Sequence, residues 1–360
     1  MPAYDAFLLV SFGGPEGPDD VMPFLENVTR GRGIPPDRLA AVAEHYYAVG
    51  GVSPINQQCR DMLAAVRAEF SAGGLSLPVY WGNRNWSPYL TDTVRAMTEA
   101  GVRRAMAFVT SAYSSYSSCR QYLDDIERAR AAVGPGAPQI DKIRRFFNHP
   151  GFIEPFAANA DAALATLPAE VREDAHLVFT AHSIPTAMAD ASGPGGGRRY
   201  VAELTEAARL IAERTGGGRH PWTLAYQSRS GPPSQPWLEP DVCDHLGELA
   251  KSGTEAVVVV PVGFVSDHME VRHDLDVEAA DSAESLGLAF ARAATPGTTA
   301  RFASMITELV RERLDFPGVQ PGALGTMGVP SRDCPADCCR NGPAAGPAGR
   351  AGEVRGPTQA

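Results

Sequence analysis

The sequence lacks the features of a membrane or exported protein. None of its 360 residues lie in an apolar run of the roughly 18–20 residues that a membrane-spanning helix needs. The amino terminus, MPAYDAFLLVSFGG, carries an acid where a signal peptide has bases, and its apolar run is too short. Basic residues are outnumbered, 32 against 42 acidic, for a net charge of −10. This balance speaks against nucleic acid or an anionic membrane surface as the main partner. We expect a cytoplasmic protein with no membrane insertion.

Cysteine is also scarce. Six cysteines in a chain of this length are too few for a disulfide scaffold. Three are scattered and three lie together near the carboxyl terminus: Cys59, Cys119 and Cys243, then Cys334, Cys338 and Cys339. In a reducing compartment, the crowding of the last three suggests a metal or cluster rather than a disulfide.

Two common catalytic motifs are absent. The turn Ser11–Pro18 has the spacing G-G-x-x-G instead of G-x-G-x-x-G. Its two prolines also lack the N–H groups that phosphates need, so a nucleotide loop is disfavoured. No serine lies in a G-x-S-x-G elbow, which disfavours the commonest hydrolase arrangement.

What the sequence does contain is an alternation of short apolar runs with amphipathic stretches. The predicted strands are Ala6–Val10, Pro78–Trp81, Ala105–Thr110, Leu177–Ala181, Thr223–Tyr226, Ala256–Val262 and Leu288–Arg292. The amphipathic stretches include Leu39–Tyr47, Cys59–Phe70, Leu90–Ala100, Ile153–Leu167 and Val201–Arg214. This order predicts an α/β protein with parallel sheets and helices on both faces.

The strands form two groups that separate near residue 145, and each group opens with an apolar strand. We predict two Rossmann-like halves that face a cleft, residues 1–145 and 146–317. From residue 318 to 360 glycine, proline and alanine dominate, apart from the three cysteines. The last twenty or so residues have the composition of a disordered segment.

An acidic row follows one of the most apolar strands. Glu270, Asp274 and Glu278 are spaced at i, i+4 and i+8, which places them on one face of a helix. Such a face is either solvated or occupied by a cation. The row begins just past the carboxyl end of a strand, where open α/β sheets bind their ligands.

Two further strand ends carry reactive or aromatic side chains. The strand Leu177–Ala181 leads directly into His182, a candidate base or metal ligand. The segment Ser111–Tyr122 interleaves serines with three tyrosines, which suits a pocket wall for a flat ligand with a polar rim. The basic segment Thr29–Gly33 is either a site for a carboxylate ligand or an ordinary surface turn.

Five stretches carry a family resemblance: LLVSFGGPEGPDDV, YYAVGGVSPIN, TAHSIP, YQSRSGP and PVGFVSDHMEVRHDLDVE. In this order and over roughly residues 4–315, the chain resembles the ferrochelatases of the class II chelatase superfamily. The resemblance implies two Rossmann-type halves that enclose a porphyrin cleft. It also implies a lyase that inserts Fe²⁺ into the macrocycle and releases two pyrrole protons.

The resemblance assigns roles to individual residues. His182 and Glu270 match the invariant pair that acts in catalysis and contacts the metal, facing each other across the porphyrin. Asp274 and Glu278 match further metal-binding acids on a widened, π-type helical turn. Such turns often mark functional sites. The positions that correspond to porphyrin contacts are Ser53, Tyr122, Tyr46, Arg30 and Phe12. Some soluble members have an iron-ligating tyrosine at the position of Phe12, so no phenolate ligand is expected here.

Two departures refine this expectation. Membrane-attached members that use protoporphyrin have a long apolar lip, whereas Phe24–Tyr46 is short and mostly polar. The chain therefore resembles the soluble branch that acts on coproporphyrin III, a ring with four carboxylates. The tail cysteines resemble those of members that hold a [2Fe–2S] cluster with three tail thiolates and one internal thiolate. The implied ligands are Cys119, Cys334, Cys338 and Cys339; a zinc site or an idle pair of adjacent cysteines are the alternatives.

The implied partners are coproporphyrin III and ferrous iron, with downstream haem-pathway enzymes as further candidates. Two other functions fit the same fold. One is a chelatase for another metal or tetrapyrrole, such as cobalt, nickel or protoporphyrin IX. The other is a haem-binding protein without turnover, in which the acidic row would be dispensable.

Overall fold

The chain is described by a computed structural model that covers residues 4–31, 33–232 and 234–340. The predicted disorder of the last twenty residues concerns a segment outside this range. Within these described residues, eight strands form two separate four-stranded sheets. They are β1 Ala6–Ser11, β2 Val79–Asn83, β3 Arg104–Val109, β4 Gln139–Lys142, β5 His176–His182, β6 Trp222–Gln227, β7 Ala256–Val260 and β8 Ala289–Arg292.

Both sheets are parallel and repeat the same topology. Their strand orders are β2-β1-β3-β4 and β6-β5-β7-β8, so each sheet has its first strand between its second and third. The strands β1 (AFLLVS) and β7 (AVVVV) are buried along their whole length. Burial on both faces explains why these strands are almost entirely apolar. The two parallel sheets with their helices confirm the α/β fold that the alternation of elements predicts.

Thirteen helices are assigned within the described residues. They are α1 Pro18–Thr29, α2 Pro36–Tyr47, α3 Ile55–Ala72, α4 Leu90–Glu99, α5 Gln121–Val133, α6 Pro150–Thr166, α7 Ala169–Arg172, α8 Thr186–Asp190, α9 Arg199–Ala212, α10 Val242–Lys251, α11 Met269–Val271, α12 Ala279–Ser285 and α13 Ala300–Arg313. Two π-helical segments, Tyr116–Arg120 and Arg272–Glu278, run into α5 and α12, and a short 3₁₀ turn spans Thr215–Gly218. No helix in the described ranges combines the length and apolar character of a membrane span.

One apolar core joins the two sheets. The helix α13, near the end of the chain, packs against both α3 and α6. Beneath it, the Phe108 ring stacks on Phe146 at 4.9 Å and meets Phe302 edge-on at 6.0 Å. The two sheets are thus separate in sequence, with the division between Lys142 and His176, but the core between them is continuous.

The repeated strand order fixes where ligands can bind. In each sheet the chain leaves the first strand toward one neighbour and later returns to pair on its other side. Open α/β sheets bind ligands in the crevice at such switch points, beyond the carboxyl ends of the strands. Here those points lie at the carboxyl ends of β1 and β3, and of β5 and β7.

Candidate functional site

The imidazole of His182 is held at the carboxyl end of β5. Its Nδ1 lies within hydrogen-bonding distance of the Ser183 carbonyl oxygen. Because a carbonyl can only accept, Nδ1 carries the hydrogen and Nε2 keeps a free lone pair. The Tyr200 hydroxyl also donates to the backbone carbonyl of His182, at 2.9 Å. The residue is thereby anchored by its backbone and its ring, and in the neutral imidazole Nε2 is the nitrogen left available for chemistry.

Glu270 lies opposite this nitrogen. It belongs to α11, which follows the loop after β7. Its Oε2 is 3.8 Å from His182 Nε2, and the two side chains are 53 % and 33 % exposed. The structure therefore brings together a base from one switch-point strand and a carboxylate from the next. Residues 182 and 270 were chosen from sequence for their positions past these two strands.

The acidic row continues along the π-helical segment Arg272–Glu278, the widened turn that the resemblance implies. Asp274 is largely buried and accepts hydrogen bonds from the Ser228 hydroxyl and from Gln227 Nε2, the latter at 3.4 Å. Burial, together with repulsion from Glu270 and Glu278, raises the pKa of Asp274 to about 6. These carboxylates are thus close enough to disfavour one another's charge, which a bound cation would relieve.

The structure adds a ligand that the sequence pattern missed. His273 Nδ1 lies 3.7 Å from a carboxylate oxygen of both Asp274 and Glu278. Potential ligand atoms of these three residues all lie within 4.8 Å of one another. The ring of His45, on α2, stacks on His273 with a centroid distance of 3.8 Å. In a regular helix His273 and Glu278, five residues apart, would point about 140° away from each other. The π-helical segment, which repeats every fifth residue, brings them to the same side.

An aromatic cluster from the first half of the chain lies beside the acidic row. The Phe24 ring packs against Phe12, Tyr46 and Trp86, with centroids 6.1–6.3 Å apart. Met269, the residue before Glu270, belongs to the same cluster. Burial and the nearby charges of Glu270 and Asp274 raise the pKa of Tyr46. Two of the five predicted porphyrin contacts, Phe12 and Tyr46, therefore lie beside the acidic row.

The other three predicted porphyrin contacts occupy different environments. Tyr122 is buried, and the guanidinium of Arg84 lies 4.6 Å from its ring and 5.7 Å from that of Phe12. Ser53 is buried and its N–H donates to the Pro15 carbonyl, which fixes it against the turn after β1. Arg30 caps the end of α1 and is exposed to solvent.

The tail brings three cysteines to a fourth. The thiols of Cys119, Cys334 and Cys338 are close enough to shift one another's pKa, and the sulfurs of Cys338 and Cys339 are 3.6 Å apart. Cys119, Cys338 and Cys339 are buried. The internal cysteine expected from the resemblance is thus the one that meets the tail.

Nitrogen donors surround these sulfurs. The Gly193 N–H donates to Cys339 Sγ at 3.2 Å, and Arg145 Nη1 donates to Cys334 Sγ at 3.9 Å. Arg145 is 5 % exposed, and its buried Nε has no hydrogen-bond partner in the described chain. Hydrogen bonds from its two cysteine neighbours and the charges of Lys142 and Arg145 lower the pKa of the Cys334 thiol. Four sulfurs, a buried cation and an unused donor fit an anionic thiolate-bound cluster.

Known proteins resemble this chain along most of its length. The family profile described as Ferrochelatase matches residues 4–314. A coproporphyrin III ferrochelatase of Streptomyces coelicolor is 58% identical over 350 residues, covering 93% of each chain. One from Nocardia farcinica is 56% identical over 344 residues, covering 94% of this chain and 97% of its own. A ferrochelatase of Rhodopirellula baltica is 52% identical over 340 residues, covering 94% of each.

A solved structure supports the fold independently. SirB from Bacillus subtilis, determined with Fe³⁺, superposes with a TM-score of 0.54 over 88% of this chain and 100% of its own. The two sequences are 12% identical, so this likeness concerns the fold alone.

Proposed function

This chain belongs to the ferrochelatase family, and we propose that it inserts Fe²⁺ into coproporphyrin III, giving Fe-coproporphyrin III and two protons, in cytoplasmic haem biosynthesis. Relatives more than 50% identical over nearly the whole chain support this substrate pair. Within the structure, the observation that carries the proposal is the free Nε2 of His182 facing the Glu270 carboxylate in the cleft.

His182 is the proposed acceptor of a pyrrole proton. Metal insertion replaces two N–H protons by one Fe²⁺, so the site needs bases beside the ring nitrogens. The Ser183 carbonyl holds the tautomer in which Nε2 is unprotonated, and this nitrogen faces the cleft. Glu270 is the nearest further acceptor and, as a carboxylate, also offsets the charge of the incoming metal.

Porphyrin binding requires Glu270 to move. At 3.8 Å, His182 and Glu270 are too close to hold a flat ring between them, since van der Waals contact on both faces needs about 7 Å. Glu270 is the more exposed of the two, whereas His182 is anchored through its carbonyl and Nδ1. We therefore assign the movement to Glu270. Its side chain turns away as the ring enters and then turns back, so that its carboxylate lies against the face of the ring.

The acids beyond Glu270 are the proposed route for the metal. Glu278 is exposed, Asp274 is largely buried, and His273 lies between them with an imidazole nitrogen 3.7 Å from each. Oxygen and imidazole ligands suit Fe²⁺ without the tight retention of thiolates. A ferrous ion that passes from Glu278 through Asp274 to Glu270 exchanges water for protein ligands before it reaches the ring.

The substrate is proposed to bind along the aromatic cluster. Phe12, which is partly exposed, offers its ring to the macrocycle. Tyr46, Tyr122 and Ser53 are buried and contact the macrocycle only if the side chains that cover them move. Arg30, on the exposed end of α1, is available to a ring carboxylate. These contacts supply the binding energy that holds the ring bent for metal insertion.

The experiment is a substrate panel under anaerobic conditions. Coproporphyrin III and protoporphyrin IX are each combined with Fe²⁺, Co²⁺ and Ni²⁺, and the free-base spectrum is followed. Fastest conversion of coproporphyrin III with Fe²⁺ supports the proposal. Preference for another pair identifies a different chelatase, and haem binding without conversion identifies a non-catalytic haem protein.

Variants of this assay test the assigned base. His182→Ala should lower kcat by about 10²–10⁴, the usual contribution of a general base. His176→Gln, at the other end of the same strand, is the matched control and should keep its activity. Full activity in His182→Ala would remove the role proposed for this imidazole.

We further propose that Cys119, Cys334, Cys338 and Cys339 hold a [2Fe–2S] cluster. Each iron of such a cluster takes two protein ligands, so four thiolates are needed. The cluster would cross-link the tail to the pocket-wall segment and supply one-electron redox chemistry. Its presence predicts a brown protein with iron and labile sulfide in equal amounts. Cys119→Ser should lose the colour, whereas Cys59→Ser, at an equally buried cysteine, should keep it. A colourless protein without iron, or one with zinc, would refute this assignment.

A further inference from the structure

A single guanidinium connects both ends of the segment that carries the acidic row. Arg292 is the last residue of β8, and its side chain is 15 % exposed. Its Nη1 and Nη2 donate to the two carboxylate oxygens of Asp267, at 3.1 and 3.3 Å. Its Nε and Nη2 donate to the carboxylate of Asp276, the latter at 3.1 Å. The forked group thus holds two carboxylates at once, an arrangement that favours arginine over lysine.

The two carboxylate partners of Arg292 lie on either side of Glu270 and Asp274. Asp267 comes three residues before Glu270, and Asp276 comes two residues after Asp274. The residues between them include α11 and the start of the π-helical segment. A π-helix is uncommon on its own and needs support from its surroundings. By fastening both flanks to the end of β8, Arg292 fixes the segment on which Glu270 and Asp274 stand.

A second contact anchors the same segment to the opposite half of the molecule. The backbone N–H of Asp267 donates to Gln58 Oε1, on α3, at 2.9 Å. Asp267 is therefore connected to β8 through its carboxylate and to the first half through its backbone. The distance between the acidic row and the aromatic cluster depends on this residue, which Arg292 holds in place.

Arg292 also divides the negative charge of the segment. Between residues 267 and 278 there are five carboxylates, at Asp267, Glu270, Asp274, Asp276 and Glu278. The guanidinium pairs with Asp267 and with Asp276, and Arg272 also pairs with Asp276 at 3.7 Å. Although burial opposes it, this pairing raises the pKa of Arg292. The remaining three are the ones with no arginine among their ion-pair partners in the described chain. The three acids of the row thus have no arginine to offset their charge, whereas the two flanking acids do.

We propose that Arg292 is a positioning residue that sets the spacing of Glu270 and Asp274 for metal transfer to the ring. The proposal rests on the proposed ferrochelatase function. Arg292 contacts neither the imidazole nor the row itself, so it acts through Asp267 and Asp276. Its loss should affect the metal more than the porphyrin, because the aromatic cluster, apart from Met269, is built from other elements.

The test compares Arg292→Gln and Arg292→Lys with the wild type. Misplacement of a reacting group by about 1 Å can cost about 100-fold, so Arg292→Gln should lower kcat/KM for Fe²⁺ by about 10- to 100-fold. Porphyrin affinity, measured from the shift of its absorption band on binding without metal, should change less than twofold. Lysine restores the charge without the fork and should recover part of the loss.

The matched control is Arg104→Gln. Arg104, like Arg292, is the terminal residue of a strand and pairs with a carboxylate, here that of Asp141 on β4. It lies at the amino end of β3, away from the acidic row. This variant should leave both the iron and the porphyrin parameters unchanged. If Arg292→Gln does not fold, Asp276→Asn removes one partner only and should raise the KM for Fe²⁺ in the same direction.

The outcomes separate this inference from the function on which it rests. A wild type that does not insert iron refutes the proposed function. A wild type that inserts iron, with Arg292→Gln within twofold in kcat/KM for Fe²⁺, overturns the role of Arg292 alone. Parallel losses in porphyrin affinity, iron KM and thermal stability would show a merely structural residue and would also overturn it.

Discussion

Two buried tyrosines allow the positioning of His182 to be tested against a built-in control. Tyr200, on α9, donates its hydroxyl to the His182 carbonyl at 2.9 Å. Tyr113, in the loop after β3, donates to the Val262 carbonyl at 2.8 Å. The two side chains are similarly buried, and their rings meet edge-on at 6.3 Å. They differ mainly in which carbonyl they hold.

The expected loss of stability follows from the hydrogen bond that each tyrosine hydroxyl donates to a buried carbonyl. Tyr200→Phe and Tyr113→Phe each remove one buried hydrogen bond, worth about 0.5–1.5 kcal/mol, and leave a carbonyl without this donor. Each variant should therefore lose about 1–2 kcal/mol of unfolding free energy, measured by urea denaturation and circular dichroism. Only Tyr200→Phe frees the backbone of the proposed base, and we expect its kcat to fall by about tenfold, with the KM for porphyrin unchanged.

Two results would contradict this reasoning. Equal losses of kcat in Tyr113→Phe and Tyr200→Phe would show that general softening of the core, rather than the His182 contact, limits turnover. Loss of stability in Tyr200→Phe without any loss of kcat would show that the Nδ1 contact to the Ser183 carbonyl is enough to orient the imidazole.

Three further predictions concern stability. Glu312→Gln should lower the free energy of unfolding, measured by urea denaturation, by about 3–5 kcal/mol, because it leaves its buried partner Arg144 unpaired. A loss below 1 kcal/mol would contradict this. Burial lowers the pKa of His149 to about 3 and that of His176 to about 4. As the pH falls, these histidines are protonated in the unfolded chain at about pH 6.5, well before they are protonated in the folded protein. The free energy of unfolding that is present at pH 7 therefore decreases below about pH 6.5, by up to about 2 kcal/mol per histidine at pH 5. Replacing either by glutamine should flatten the measured pH profile. A Cβ on Gly263 would lie 2.7 Å from the backbone of β5, so Gly263→Ala should lower the melting temperature, whereas Gly247→Ala, in the open middle of α10, should not.

The sequence predicts the centre of each sheet better than its edges. The runs in β1 and β7 are apolar along their whole length because both faces are covered, and this leaves a clear pattern. The edge strand β4 (QIDK) gives no such pattern, since its outer side is partly exposed, and it was not predicted. Seven of the eight strands were predicted, with bounds that differ by a few residues.

The same limit applies to the site. His182 and Glu270 could be chosen because each closely follows an apolar strand, and their facing positions follow from parallel topology. His273 was missed because the widened helical turn, rather than the spacing, brings it to the same side as Glu278. Arg292 was missed because its two partners are contacts of the folded chain that no local pattern records.

The cysteine group has a consequence for the order in which the parts of the chain fold. Its members come from the pocket-wall segment and from the tail, whose first cysteine, Cys334, lies 215 residues after Cys119. The tail is held by hydrogen bonds between Asn148 and the backbone at Leu324 and Gly328. Contacts so distant along the chain carry a large loop-closure cost and form late. During synthesis the amino-terminal parts of the chain can fold first. Cys119 is therefore already buried in folded protein before the three tail cysteines are synthesised and can reach it. A chain truncated before Cys334 would therefore keep both sheets and the cleft. It would lack the three tail cysteines that connect the tail to the pocket-wall segment.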